Sequence, residues 1–240
     1  MILVIADPYD TLATKVAGGL GGPVLRGSEA DLFTAPFSIK IDHEKVWGTL
    51  RLHGEMVNLA DLTAVFLRPY RTWWPGPEYG AQDQMFVYHE TIASWFTVFD
   101  SVPCPVINRF GLGWWLQDHS YPERLRTELA AILNVPASDS GPPAGAFGKL
   151  NPTGPDPDAR SVYLVGQSII STGKLLDTAI RSSMTAVRDW QKRNGISFCR
   201  LDFESGAFPR LKTVEVFPLL DHEPARFVDR IAAALIEEVR

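Results

Sequence analysis

Cysteine is scarce in this chain: Cys104 and Cys199 stand alone in 240 residues, with no Cys-x-x-Cys pair and no histidine at ligand spacing. That excludes a zinc knuckle and a disulfide framework, and both thiols are expected to be reduced and buried. No apolar run approaches the length of about 20 residues that a membrane-spanning helix needs. The opening MILVIADP is too short an apolar run for a signal peptide and has no basic leader, so the cytoplasm is the expected compartment. Charge of one sign never gathers into a block: 23 Lys and Arg face 28 Asp and Glu, for a net charge of −5. Neither nucleic acid nor a membrane is therefore an expected partner. The five histidines, His43, His53, His89, His119 and His222, show no metal spacing and no nucleophile partner, which disfavours a histidine-based hydrolase.

What is present is apolar material in short, punctuated runs. A hydrophobic content of 45% is ample for a core, and the length allows one large domain or two small ones. Residues 2–6 form a continuous apolar run ending at Asp7-Pro8, the pattern of a buried first strand. A short helix is expected over 11–20, closed by a glycine cluster that lacks the spacing of a phosphate loop or a dinucleotide turn. Alternation over 46–58 around His53-Gly54 predicts a hairpin. A buried strand follows over 64–67, and Arg68 just past its carboxyl end lies where α/β sheets bind ligands. The loop after it carries Trp73 and Trp74, placed either to meet a ligand or to pack on a sheet edge. A largely buried aromatic helix is expected over 85–99 with Phe86, Trp95, Phe96 and Phe99, then a short strand over 105–108 followed by Arg109. Ser120 to Glu123 reads as a capping box that opens a helix over 122–134, striped by Leu125, Leu129 and Leu133.

Residues 138–158 are dominated by Pro, Gly, Ser and Asp and read as a linker between a domain over 1–137 and another over 159–240. The second half then reads as hairpin (161–171, turning at Gly166-Gln167), helix (178–194, stopped by Gly195), hairpin (196–218) and helix (224–239, capped by Asp221 and striped by Phe227, Ile231 and Leu235). In the hairpin, residues 196–203 and 212–217 should pair antiparallel. Asp202 shares a face with Phe198 and Arg200, and Glu215 with Thr213 and Phe217. If the register joins these faces, two carboxylates come within reach of one cation; otherwise they are exposed acids on a half-solvated hairpin.

Taken in order, DLTAVFLRPY, VINRF, LNVPAS, SVYLVGQSII, CRLDFE and TVEVFP resemble successive segments of the ATP-grasp superfamily, specifically the peptide ligases related to the microviridin-maturing enzymes and the ribosomal-protein glutamate ligases. The resemblance implies an α/β fold whose C-terminal half is α+β, with an N-terminal parallel-sheet domain and a C-terminal ATP-grasp-like domain around a reduced central region. It implies ATP and Mg²⁺ as cofactors and joining of a carboxylate to an amine through an acyl phosphate, on a small molecule or peptide, with a homodimer possible. It carries a metal-ligand role to Asp202 and Glu215. Lys149 and Lys174 are the candidates for the family's phosphate-binding lysine, and Arg160 loosely matches an arginine of its strand pair. Arg68, Arg109 and Arg200 become the candidates for orienting a carboxylate or phosphoryl group. Phe217 stands where the family has a metal-binding Asn, so the alternative is a degenerate relative that binds peptides or partners without turning over ATP.

Overall fold

The computed structural model describes residues 1–42, 45–68, 80–109, 121–138, 160–171, 178, 180–204, 209–218, 220 and 223–239. The expected roles of Trp73, Trp74, Lys149 and Lys174, the caps at Ser120 and Asp221, and the linker beyond Ser138 fall outside them. The chain divides into two compact units, Met1–Leu116 and Gln117–Glu238.

In the first unit, β1 (Ile2–Ala6) and β6 (Ala64–Arg68) are buried along their whole length. They form the centre of a parallel sheet ordered β2 (Val24–Gly27), β1, β6, β7 (Val106–Ile107). Continuous apolar runs suit strands covered on both faces, as the sequence predicts. After β1 the chain enters α1 (Thr11–Gly19), whose N-cap Asp10 accepts a hydrogen bond from the Ala13 amide. Helix α2 (Glu29–Thr34) opens on a complete capping box between Ser28 and Asp31.

An antiparallel meander follows: β3 (Phe37–Asp42), β4 (Lys45–Leu52) and β5 (Glu55–Asn58). The β4–β5 turn is the predicted one, with both His53 and Gly54 at positive φ. Helix α3 (Ala81–Ser101) buries Tyr88, Ile92, Trp95 and Phe99, an i, i+4, i+7, i+11 stripe. Burial of each such side chain is worth about 1.5–3 kcal/mol. Phe86 lies off that stripe and is 66% exposed, which corrects the expectation that it is buried. Trp95 also donates its indole N–H to the Leu32 carbonyl at 2.7 Å, so its one polar atom is satisfied.

The second unit contains an antiparallel sheet ordered β11 (Leu211–Glu215), β10 (Phe198–Phe203), β8 (Arg160–Val165), β9 (Ser168–Ser171). Both predicted hairpins are present, and the structure adds the pairing of β8 with β10 that joins them. Among the described residues the longer helices of this unit are α4 (Tyr121–Leu133), α5 (Met184–Asn194) and α6 (Ala225–Val239). Helix α4, grouped by sequence with the N-terminal domain, belongs here and packs on β11 and α5. The expected helix over 178–194 is interrupted at Ser183, whose ψ of 11° leaves the helical range, and α5 restarts at Met184. Gly195 ends α5 in the left-handed conformation. Just past α4, Ala137 bridges Leu211 in parallel: the Leu211 amide donates to Pro136 O and the Ser138 amide to Leu211 O. Among the described residues no helix is long and apolar enough to cross a membrane.

Candidate functional site

The face question left open by the sequence is settled by the strand register. Arg200 lies opposite Glu215 on β11 and opposite Tyr163 on β8; Asp202 lies opposite Thr213 and Ser161. Six polar side chains therefore share one sheet face, while Cys199, Leu201 and Phe203 point the other way into the core. The half-solvated reading fails for Asp202, whose side chain is 12% exposed, whereas Glu215 is 34% exposed.

Arg200 sits between the two acids. Its Nε is 3.2 Å from both Asp202 oxygens, and its Nη2 is 2.7 Å from Glu215 Oε2. Ser161 Oγ donates to Asp202 Oδ1 at 2.7 Å, and Thr213 Oγ1 donates to Oδ2 at 2.9 Å. The Tyr163 hydroxyl donates to Glu223 Oε1 at 2.6 Å, and its ring meets Phe227 of α6 edge-on. Burial opposes the charge of Arg200, but Glu215 and Asp202 more than offset it, so the guanidinium pKa stands above its ordinary value. Burial, and then the hydrogen bond to Glu223, push the Tyr163 phenol well up. The face thus holds a permanent cation whose counter-charges are fixed and hydrogen-bonded.

Two carboxylates on one face are the donor chemistry that Mg²⁺ takes. As arranged here they do not fit it, because the guanidinium already fills the gap between them. Phe217, at the position the resemblance gives to a third oxygen ligand, is a buried hydrocarbon ring. Among the described residues no group of three or more His, Cys, Asp or Glu could hold a metal ion. Ser161, Tyr163, Thr213 and Glu223 were not singled out by sequence. The signal was the alternation of Ser161 and Tyr163 on one strand, which has meaning only once β8 is known to pair with β10.

The other two arginines are in the first unit. Arg68 is wholly buried at the carboxyl end of β6, and its Nε bonds Asp10 Oδ2 at 2.7 Å. The same Asp10 caps α1, so this ion pair ties the end of β6 to the start of that helix. Arg109 spends its guanidinium on the carboxyl end of α3, donating to the carbonyls of Asp100, Val102 and Cys104. Burial pushes the Cys199 thiol up to about 12, and raises that of Cys104 as well. Arg160 opens β8 and is exposed.

No family model and no curated protein sequence matches the chain. Solved structures do. The macrocyclase MdnC of Microcystis aeruginosa MRC, bound with its precursor peptide MdnA, is 12% identical with a TM-score of 0.72, covering 100% of this chain and 99% of the other. The Chryseobacterium gregarium RiPP-associated ATP-grasp ligase, in complex with ADP and a leader and core peptide, is 12% identical at 0.67, covering 99% and 96%. The ATP-grasp ligase PsnB, complexed with precursor peptide PsnA2 and AMPPNP, is 13% identical at 0.63, covering 100% and 97%. The parallel sheet with its meander and the antiparallel sheet with its paired hairpins are thus, along the whole chain, the fold of the ATP-grasp peptide ligases.

Proposed function

We propose that this protein is an ATP-dependent carboxylate–amine ligase that acts on a peptide. The observation that carries the reading is the shared face of Arg200, Asp202 and Glu215, in a chain whose whole length has a fold otherwise seen in ligases complexed with nucleotide and precursor peptide. The reaction has two displacements. A substrate carboxylate oxygen bonds to the γ-phosphorus of ATP as the bond to the bridging oxygen breaks, releasing ADP. An amine nitrogen then bonds to the acyl carbon as phosphate leaves, and the amine gives up a proton.

Both steps develop charge on phosphoryl oxygens, and positioned cations are the main protein contribution to such chemistry. Arg200 is the cation held in place for this, its planar fork matched to phosphate and carboxylate oxygens alike. Asp202 and Glu215 orient it, and Ser161 and Thr213 orient Asp202. One solved structure of similar fold is complexed with Mg and ADP, whereas here the pair that would offer oxygens to such an ion is taken up by Arg200.

A second reading has a specific observation in its favour: Phe217 is buried hydrocarbon beside an ion pair that is already complete. On that reading the chain binds a peptide or a partner protein without turning over ATP. Titration with ATP and Mg²⁺, followed by thermal unfolding, separates the two. A ligase gains about 2.7 kcal/mol of stability at a hundredfold excess of ligand over Kd. No change at millimolar ATP would sink the ligase reading and leave the peptide-binding one.

A further inference from the structure

We infer that the outer edge of β3 is a docking edge for an extended peptide that alternates acidic and apolar residues, which joins the meander as a further strand. The edge lies apart from the Arg200 face and involves no nucleotide, so the inference goes beyond the ligase reading and does not rest on it.

The register fixes which backbone groups are on offer. The Arg51 amide donates to Pro36 O at 2.9 Å, which makes 36 and 51 a hydrogen-bonded pair of the β3–β4 ladder. Such pairs alternate along an antiparallel ladder, so Ser38 with Thr49 and Lys40 with Trp47 are the next two. Phe37, Ile39 and Ile41 therefore turn their N–H and C=O groups away from β4. Among the described residues no strand pairs with that side, and β3 has neither a bulge nor a proline within its length to blunt it. A row of alternating donors and acceptors is matched by another extended backbone, which makes a peptide strand the ligand this edge recognises.

The side chains set the composition of that strand. Phe37 and Ile39 point to the inner face and are half-buried, Phe37 with its ring 4.7 Å from that of Trp95. Apolar surface is thus left at the rim, where every second residue of an incoming strand would cover it. The outer face carries Ser38, Lys40, Trp47, Thr49, Arg51 and Met56, all exposed. Among the described residues neither Lys40 nor Arg51 is held in an ion pair, in a chain whose net charge is −5. Lys40 stands on the edge strand itself, so the outward residue placed opposite it meets its charge directly. Opposite charges in that position stabilise a sheet and like charges destabilise it. Arg51 lies one strand further in, in the row of Pro36, and Asp42 lies at the other end of β3. The acidic residues of the partner accordingly belong toward the Pro36 end.

The test uses the full chain without nucleotide. Its probes are fluorescein-labelled peptides of about seven residues, alternating Glu with Val or Lys with Val and read by anisotropy. The parent is expected to bind the Glu probe about tenfold more tightly than the Lys probe, and Lys40→Glu, at an exposed position, to reverse that order. N-methylation of the Val residues removes the donors that an antiparallel strand aims at β3, and N-methylation of the Glu residues removes those of a parallel one. Binding should be lost for one methylated set and kept for the other. Equal affinity for the two probes, no binding of either at millimolar concentration, an order that Lys40→Glu leaves unchanged, or an equal effect of both methylated sets overturns the inference. Sedimentation of the chain alone tests the other occupant: a dimer dispersed by Lys40→Glu would put a second copy on the edge and overturn the peptide. Titration with ATP is read separately, and failure there leaves the docking edge standing, just as failure here leaves the ligase reading standing.

Discussion

Arg68 and Arg200 are both buried arginines held by acids, and they differ in what surrounds the pair. Arg68 meets Asp10 in a side-chain environment with 0% and 2% exposure, and Asp10 is at the same time the cap of α1. One substitution there removes two interactions. Asp10→Ala is expected to cost about 3–5 kcal/mol, the range for breaking a buried ion pair, and urea denaturation measures it. A loss under about 1 kcal/mol would give the pair the weight of a surface salt bridge instead. At this scale the sequence was legible in part. It marks Arg68 by its place at the carboxyl end of a strand, Asp202 and Glu215 by the faces they take on one hairpin and by the resemblance, and Arg109 and Arg200 by the charge that the resembled chemistry needs. It could not show that Arg109 caps α3, because that role is played against backbone carbonyls, which every residue carries.

Elements with a strong period were read correctly from sequence. The stripes Leu125, Leu129, Leu133 and Phe227, Ile231, Leu235 are buried, and the hairpins at His53-Gly54 and Gly166-Gln167 turn where expected. Short elements escaped: β2 has four residues and α2 six, too few for a period to show against the neighbouring glycines. β3 carries its own alternation, Phe37, Ile39 and Ile41 against Ser38, Lys40 and Asp42, so a strand there is legible in the residues. Gly166 also does more than turn the chain. Its φ is +50°, and a Cβ there would lie 1.9 Å from Glu238 Oε2 on the last turn of α6. Gly166→Ala is therefore expected to lower the melting temperature chiefly through backbone strain, since the carboxylate end of the exposed Glu238 side chain can swing aside. Adding Glu238→Ala should then restore little; full restoration in the double variant would mean that the backbone conformation costs nothing.

Over the whole molecule, each unit has its own sheet and its own buried core. Leu201 is wholly buried in β10, and Leu201→Ala should cost about 2–5 kcal/mol through lost contacts and the cavity left behind. Hydrogen exchange should then accelerate in the amides of β8, β10 and β11 while those of β1 and β6 keep their protection, as expected of units that could fold alone. Equal acceleration in both sheets would show the chain to open as one body. Fold class was the most legible property at this scale, because the order of strand and helix patterns survives at sequence identities of 11–13% to the solved ligases. The site was less so, since its shared face depends on β8 joining β10 across residues far apart in the chain.

The short bridge at Ala137 has a consequence for how this protein behaves when concentrated. Among the described residues β11 is the last full strand on its side of the second sheet, and an open strand edge is a template on which other chains can stack. At Leu211 both backbone groups are already engaged by residues 136–138. That clasp begins with a proline, which has no N–H to offer a newcomer. The segment acts as a fence at the start of the strand, discouraging growth into fibrils from that edge.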